Sequence, residues 1–219
     1  MPTATWERLP EARRQAVLAA AEAEFALRGF SGGSLNVIAR NAGVAKGSLF
    51  QYFTDKVDLY THLSELASRR IRAYMETRIA ELPWVDGFFP AFGELMLEWI
   101  EYFRTHDIER AVTAAVNLEP DAAARSAVRT VANRHYVEVL RPMLEQARDA
   151  GAVRADADLD AFLALLILLL PHLALAPHIP GLDPVFGLAD GLPEQSEAAV
   201  RRLLAVLRAA FGSEGRAGS

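Results

Sequence analysis

Apolar side chains recur along this chain at three- and four-residue spacing, and glycines and prolines punctuate the runs. Pro10 and Glu11 suit the first turn of a helix, alanines and leucines continue to Arg28, and Gly29 supplies a stop, with Phe30 packing back on Phe25 or Ala26. A second helix opens at Ser34, whose hydroxyl offers an N-cap, and turns Leu35, Ile38 and Ala39 to one face. Ala42-Gly43-Val44 then sets a small residue, a glycine and an apolar residue where two helices cross closely. A short helix over about Lys46 to Tyr52 follows, with Leu49 and Phe53 pointing inward and Lys46, Gly47, Ser48, Gln51 and Tyr52 left outward.

Thr54-Asp55 signals a long helix to about residue 80, with apolar Leu59, Leu63, Leu66 and Tyr74. Between residues 83 and 106 aromatics concentrate, and Phe88, Phe92, Leu95, Trp99 and Tyr102 form one continuous helical stripe. A further helix is predicted from Asp121 to Ala150, bent near Pro142 and stopped by Gly151. Leu159 to Ala176 is the most apolar stretch, interrupted at Pro171 and His172 and so a poor bilayer span. Prolines and glycines from Pro177 to Pro193 mark a long loop. Glu194 to Phe211 returns to helix, with Val200, Leu203, Leu204, Leu207 and Phe211 on one face and Arg201, Arg202 and Arg208 opposite. Residues 1 to 9 lack a pattern and read as a mobile arm, and residues 212 to 219 as a frayed tail. The fold class is all-α, with no membrane span.

Two helices joined by a tight turn, followed by a basic residue opening a third, form the arrangement of a DNA-docking helix-turn-helix. One cation, a glycine, a hydroxyl, an amide and a phenol make an unusual solvated face, which ordinarily mixes Glu with Lys. They suit DNA: Gln pairs bidentately with adenine, hydroxyls donate to phosphate oxygens, and glycine permits close backbone approach. The plain alternative is a helical hairpin with a polar surface.

Gly29-Phe30, Ser34, Ile38-Ala39, Ala42-Gly43-Val44, Gly47, Tyr52-Phe53, and Lys56 with Leu59 together resemble the N-terminal module of TetR-family transcriptional regulators, over about residues 10 to 63. The resemblance implies a three-helix DNA-binding domain over residues 1–55 and a helical effector-binding and dimerisation domain over residues 56–219. It implies phosphate contacts from Ser34, Ser48, Tyr52 and Lys56, and base-edge contacts from Lys46, Gly47 and Gln51. Three positions depart from the family's pattern. Ala45 stands where a hydroxyl cap is usual, Phe50 where Tyr is common, and Asn36 where Arg is frequent, so Asn36 would make a neutral contact.

The 219 residues suffice for a two-part helical protein with a substantial core, and the absence of cysteine excludes a disulfide framework and thiolate metal sites. Without cysteines and with no export signal at the start, the protein is expected in the cytoplasm. Net charge is -5, yet seven basic and six acidic side chains up to residue 60 leave +1 there, so the remainder carries -6. An acidic body behind a near-neutral head favours local over non-specific contact with DNA.

Two readings stand for the aromatic stripe. It is either plain core, or Phe88, Phe92, Met96, Trp99, Tyr102 and Phe103 line an apolar cavity for a small-molecule effector, oriented by polar groups among Asn117, Asn133, His135, Tyr136 and His172. The Leu-rich helix and the last one, through Leu165, Leu169, Leu203, Leu204 and Leu207, make half of a four-helix homodimer interface. A homodimer would read pseudo-palindromic double-stranded DNA at half-sites ~34 Å or a little more apart. The competing class is an all-helical enzyme or a protein-interaction module. No P-loop, dinucleotide fingerprint, nucleophile elbow or zinc motif is present, and neither catalytic residue, cofactor nor metal site is expected.

Overall fold

The computed structural model describes residues 2–213, so the part of the predicted tail from residue 214 onward lies outside the described residues. The chain forms two compact units, one from residues up to Ile71 together with His106–Arg134, the other from Arg72–Thr105 together with His135 onward.

The first unit holds α1 (Ala4–Glu7), α2 (Glu11–Gly32), α3 (Leu35–Asn41), α4 (Lys46–Tyr52), the start of α5 (Lys56–Glu81), α7 (Asp107–Leu118) and the start of α8 (Ala122–Asp149). Its core joins Val17, Ala21 and Phe25 of α2, Ile38 of α3, Leu49 of α4, Leu59 and Leu63 of α5 and Val116 of α7. At α5 the Asp55 carboxylate accepts the Asp58 N–H at 2.8 Å, and Asp58 accepts the Thr54 N–H and hydroxyl, both at 3.1 Å. Donors that helix formation leaves orphaned are thereby satisfied at the junction after α4. Arg70 ties α5 to α2 through Glu22 at 2.8 Å and to α7 through Glu109 at 2.5 Å.

Two expectations change here. Residues 2 to 9, the described part of the expected arm, are packed: Trp6 is 3% exposed, with its ring centroid 4.9 Å from that of Phe53. An indole offers enough apolar area to order a short segment that has no helical period of its own. Helix α7 has no counterpart in the sequence reading. Its buried Val116 and half-buried Ile108 and Val112 lie at helical spacing, and Pro120 follows its end, but no glycine or proline marks its start.

The second unit holds the rest of α5, a 3-10 turn over Trp84–Asp86, α6 (Phe88–Thr105), the rest of α8, α9 (Leu159–Leu175) and α10 (Pro193–Phe211). Helix α6 lies against both α9 and α10. Gly93 permits the second approach, since a Cβ there would sit 2.5 Å from Cδ1 of Leu204. Asp158 caps α9 by accepting the N–H groups of Asp160 and Ala161 at 3.0 Å. Helix α9 runs through Pro171 to Leu175, with Leu166, Leu170, Leu173 and Ala174 buried on either side of the proline. Among the described residues, no helix is long and apolar enough to cross a membrane.

The 177–193 segment is organised around Asp183, whose carboxylate accepts the N–H groups of Val185, Phe186 and Leu188, each at 2.9 Å. Burial pushes the Asp183 carboxyl up, but these amide donors outweigh it and hold the group below the usual carboxylate range. The start of the predicted tail is also tied down. Gly212 bridges Val153, the Ser213 N–H donates to Ala152 O at 3.0 Å, and Phe211 stacks on Phe162 at 4.3 Å.

Candidate nucleic-acid interface

Helices α3 and α4 meet through Ala42-Gly43-Val44, where the Ala42 N–H donates to Ile38 O at 2.9 Å and the Val44 N–H to Ala39 O at 3.0 Å. Gly43 has φ +66 with open space around it, so glycine is required there for its backbone conformation. Gly33, just before α3, is required for space: a Cβ would fall 2.6 Å from the Phe25 ring.

Leu49 and Phe53 are each 2% exposed and anchor α4 as their spacing predicts. Lys46, Gly47 and Gln51 are exposed and Ser48 is half-buried. Tyr52 is a correction: it is 5% exposed, with its ring centroid 5.9 Å from that of Trp6, so its side chain leaves the outward face. An aromatic at the foot of a two-turn helix buries more area against Trp6 than it would gain in water. Phe50, read in the sequence only as a missing hydroxyl, is 49% exposed on α4, between Lys46 and Gln51 on the outward side. The helical period carried that signal, because Phe50 is four residues from Lys46 and three from Gly47.

Ser34 occupies the N-cap position of α3, but its hydroxyl makes no capping bond. Its N–H donates instead to the buried Glu24 carboxylate at 3.0 Å. Asn36 is exposed at the start of α3, and Ala45 stands at the N-cap of α4 with no side-chain cap. Lys56 opens α5 with its Nζ 4.5 Å from the centre of the Phe30 ring, a cation–π contact that holds the amine near the α2–α3 corner.

A buried carboxylate braces that corner. Glu119, 4% exposed, accepts the Phe30 N–H at 3.1 Å, the Ser31 N–H at 3.4 Å, the Asp121 N–H at 3.1 Å and the Ser31 hydroxyl. Burial alone would push its carboxyl up, but the donors from Ser31, Asp121 and Phe30 prevail and hold it below the ordinary glutamate value. The end of α2 is thereby fixed to the α7–α8 turn. Nothing in the sequence singles out Glu119, since its partners lie 88 and 89 residues away.

In the second unit Phe88, Phe92, Met96, Trp99, Tyr102 and Phe103 are all buried. Trp99 is central, with ring centroids of Phe103 at 4.8 Å and Tyr136 at 5.7 Å, while its indole N–H donates to Leu170 O at 2.8 Å. Burial pushes the Tyr136 phenol well above its ordinary value, and the side chain is half-buried. His135 and His172 are half-buried in the same unit. Asn117 and Asn133 belong to the first unit, and Asn117 is engaged there, donating to Thr113 O at 2.8 Å and accepting from Arg129 at 3.3 Å. No group of three or more His, Cys, Asp or Glu side chains suited to a metal ion occurs among the described residues.

The apolar face of α9 and α10 is partly uncovered. Leu165 is 45% exposed, Leu168 73% and Val206 65%. Leu169, Leu203 and Leu204 are half-buried, whereas Leu207 is 5% exposed and belongs to the core of its own unit. Leu207 is therefore removed from the outward face, and Leu168 and Val206, absent from the sequence reading of the interface, join it.

The family model of bacterial regulatory proteins, tetR family, matches residues 17–63, the span of α2 to α4 and the start of α5. HTH-type transcriptional repressor BepR of Brucella suis biovar 1 (strain 1330) is 27% identical over 158 residues, a span of 70% of this chain and 64% of that relative. A TetR family transcriptional regulator from Chloroflexus aurantiacus J-10-fl has a similar structure, with TM-score 0.61 and 21% identity over 98% of this chain and 100% of the other. The fatty acid degradation regulator FadR from Bacillus halodurans gives TM-score 0.67 and 16% identity over 88% and 96% of the two chains. FadR from Bacillus subtilis in complex with stearoyl-CoA gives 0.64 and 17% over 88% and 96%. Residues 17–63 thus match the helix-turn-helix module of the tetR family, and the all-helical architecture of the described residues is the fold of solved TetR family regulators.

Proposed function

We propose that this protein is a homodimeric, cytoplasmic repressor that reads a pseudo-palindromic DNA site and is released by a small apolar or amphipathic ligand. The observation that carries the reading is the outward face of α4. Lys46, Gly47, Phe50 and Gln51 are exposed with no acidic side chain among them, on a helix held by buried Leu49 and Phe53. Gln51 reads adenine, Phe50 meets a thymine methyl group, and Lys46 reaches a guanine edge. Ser34, Asn36, Ser48 and Lys56 lie toward the flanking phosphates. Residues 1–55 form the DNA-binding domain and residues 56–219 the effector-binding and dimerisation domain.

A second copy covers α9 and α10 through Leu165, Leu168, Leu169, Leu203 and Val206, because large apolar side chains as exposed as Leu165, Leu168 and Val206 mark a contact surface. The effector lies among the α6 aromatics beside Trp99 and Tyr136, where a phenol in apolar surroundings orients one polar end of a ligand. The stearoyl-CoA held by the similarly folded FadR of Bacillus subtilis supports an amphipathic class. A ligand of this kind lowers DNA affinity only by its differential binding to the two states. Gel-shift titration on DNA flanking the protein's own coding region tests the proposal. A specific shift that weakens with salt is expected, and its absence at physiological ionic strength rejects the reading.

A further inference from the structure

The turn preceding α2 makes contacts that the family resemblance does not require. The Thr3 N–H donates to Tyr52 O at 2.9 Å, and the Thr3 hydroxyl donates to Gln51 O at 2.5 Å. Those are the last two carbonyls of α4, which a helix leaves without internal partners. Trp6 closes over the same end, 4.9 Å from Phe53, 5.9 Å from Tyr52 and 5.8 Å from His62 of α5 between ring centroids. The turn is itself braced: the Trp6 N–H donates to Thr3 O at 3.0 Å, and Arg14 of α2 donates to Glu7 O at 3.1 Å.

Helix α4 has only 7 residues and no side-chain cap at its start. So short a helix has little stability of its own, and its pose is set by what grips it. Leu49 and Phe53 hold one side of it against the core. The grip on its end comes from Thr3 and Trp6.

We propose that Thr3 and Trp6 are positioning residues for DNA recognition, clamping the C-terminal end of α4 and setting the angle at which its exposed face enters a groove. The proposal rests on the reading of α4 as the base-reading helix. Thr3 is bonded to the backbone of Gln51 and Tyr52, so a shift of the clamp displaces the base-reading Gln51 directly. Three of the four phosphate contacts, at Ser34, Asn36 and Lys56, lie outside α4 at the starts of α3 and α5 and do not depend on it; only Ser48 moves with α4. The expected signature is loss of discrimination without loss of general DNA affinity, which a purely structural role does not produce.

The test uses the full chain and the variants Thr3→Val, Trp6→Phe and Trp6→Ala. Each is titrated by fluorescence anisotropy on the duplex that the full chain enriches from a randomised library, and on a scrambled duplex of the same composition. Circular dichroism melting records the fold. Thr3→Val and Trp6→Ala are expected to lower the preference for the enriched duplex by about three- to tenfold, the scale of one net hydrogen bond. Trp6→Phe retains most of the preference, and affinity for the scrambled duplex stays that of the parent. Equal losses on both duplexes, or an unchanged preference in a normally melting Thr3→Val, overturn the clamp. Thr3→Val decides if Trp6→Ala does not fold, because it removes a donor and keeps the side chain's shape. Failure of the full chain to enrich any duplex overturns the reading of α4 itself, which is a different result.

Discussion

Truncating Glu119 to Ala removes the acceptor for three backbone N–H groups and one hydroxyl at the α2–α3 corner. Ser31 and Asp121 are exposed residues and can rehydrate, but Phe30 is 8% exposed and its N–H is left buried without a partner. One stranded buried donor together with the lost charge-assisted bonds amounts to roughly 2–4 kcal/mol of destabilisation. Glu119→Gln keeps one oxygen for two donors and turns an amide toward the other two, so about 1–2 kcal/mol is expected. Both exceed the ~0.5 kcal/mol of an ordinary surface change. Because the folded carboxyl lies below its ordinary value of 4.5, its contribution is fully present above that value. It is lost as pH falls through the folded value, and both variants should lack that part of the acid dependence. Urea unfolding followed by circular dichroism between pH 3 and 7 measures the magnitudes, and amide hydrogen exchange at Phe30 and Ser31 localises them. A Glu119→Ala protein within about 0.5 kcal/mol of the parent, with protected Phe30 and Ser31 amides, would refute the bracing role.

Gln51→Ala is expected to cost ~1–3 kcal/mol at one base position, whereas Lys56→Ala weakens all sequences alike and lowers the salt slope by about one; uniform loss in both would remove Gln51 from direct readout. Gly29 has φ 65 and ψ -177, a region open essentially only to glycine, so Gly29→Ala should destabilise by about 1–3 kcal/mol in thermal melts. Leu168→Glu places a charge on the most exposed leucine of α9, and sedimentation should show monomers with an unchanged helical spectrum; a persistent dimer would move the interface elsewhere. Trp99→Ala removes a buried indole and its bond to Leu170 O, costing about 3–5 kcal/mol in urea unfolding. Loss of under 1 kcal/mol would mean the aromatic cluster is loosely packed.

Local periodicity and turn chemistry were enough to place α3, α4 and the glycine turn between them, because each depends on side chains within a few residues. The start of α5 at Thr54-Asp55 and the aromatic stripe of α6 were legible for the same reason. The long α8 was read correctly in extent from Asp121 to Ala150, its end marked by Gly151 at φ 77. What needed the folded chain were contacts between residues distant in sequence. Trp6 gains meaning only beside Phe53, and Glu119 only beside Phe30 and Ser31. Tyr52 and Phe50 exchanged places for that reason. A helical wheel assigns faces relative to one axis, but which face is covered depends on neighbours that arrive from elsewhere, here the turn carrying Trp6. Likewise the Leu-rich α9 announces burial by its composition, while the division into Leu170, covered within its own unit, and Leu168, left open, is set by where α6 packs. Residue type and spacing specify elements and their chemistry; burial and hydrogen-bond partnership are properties of the assembled chain, since both arise from surfaces that no single segment possesses.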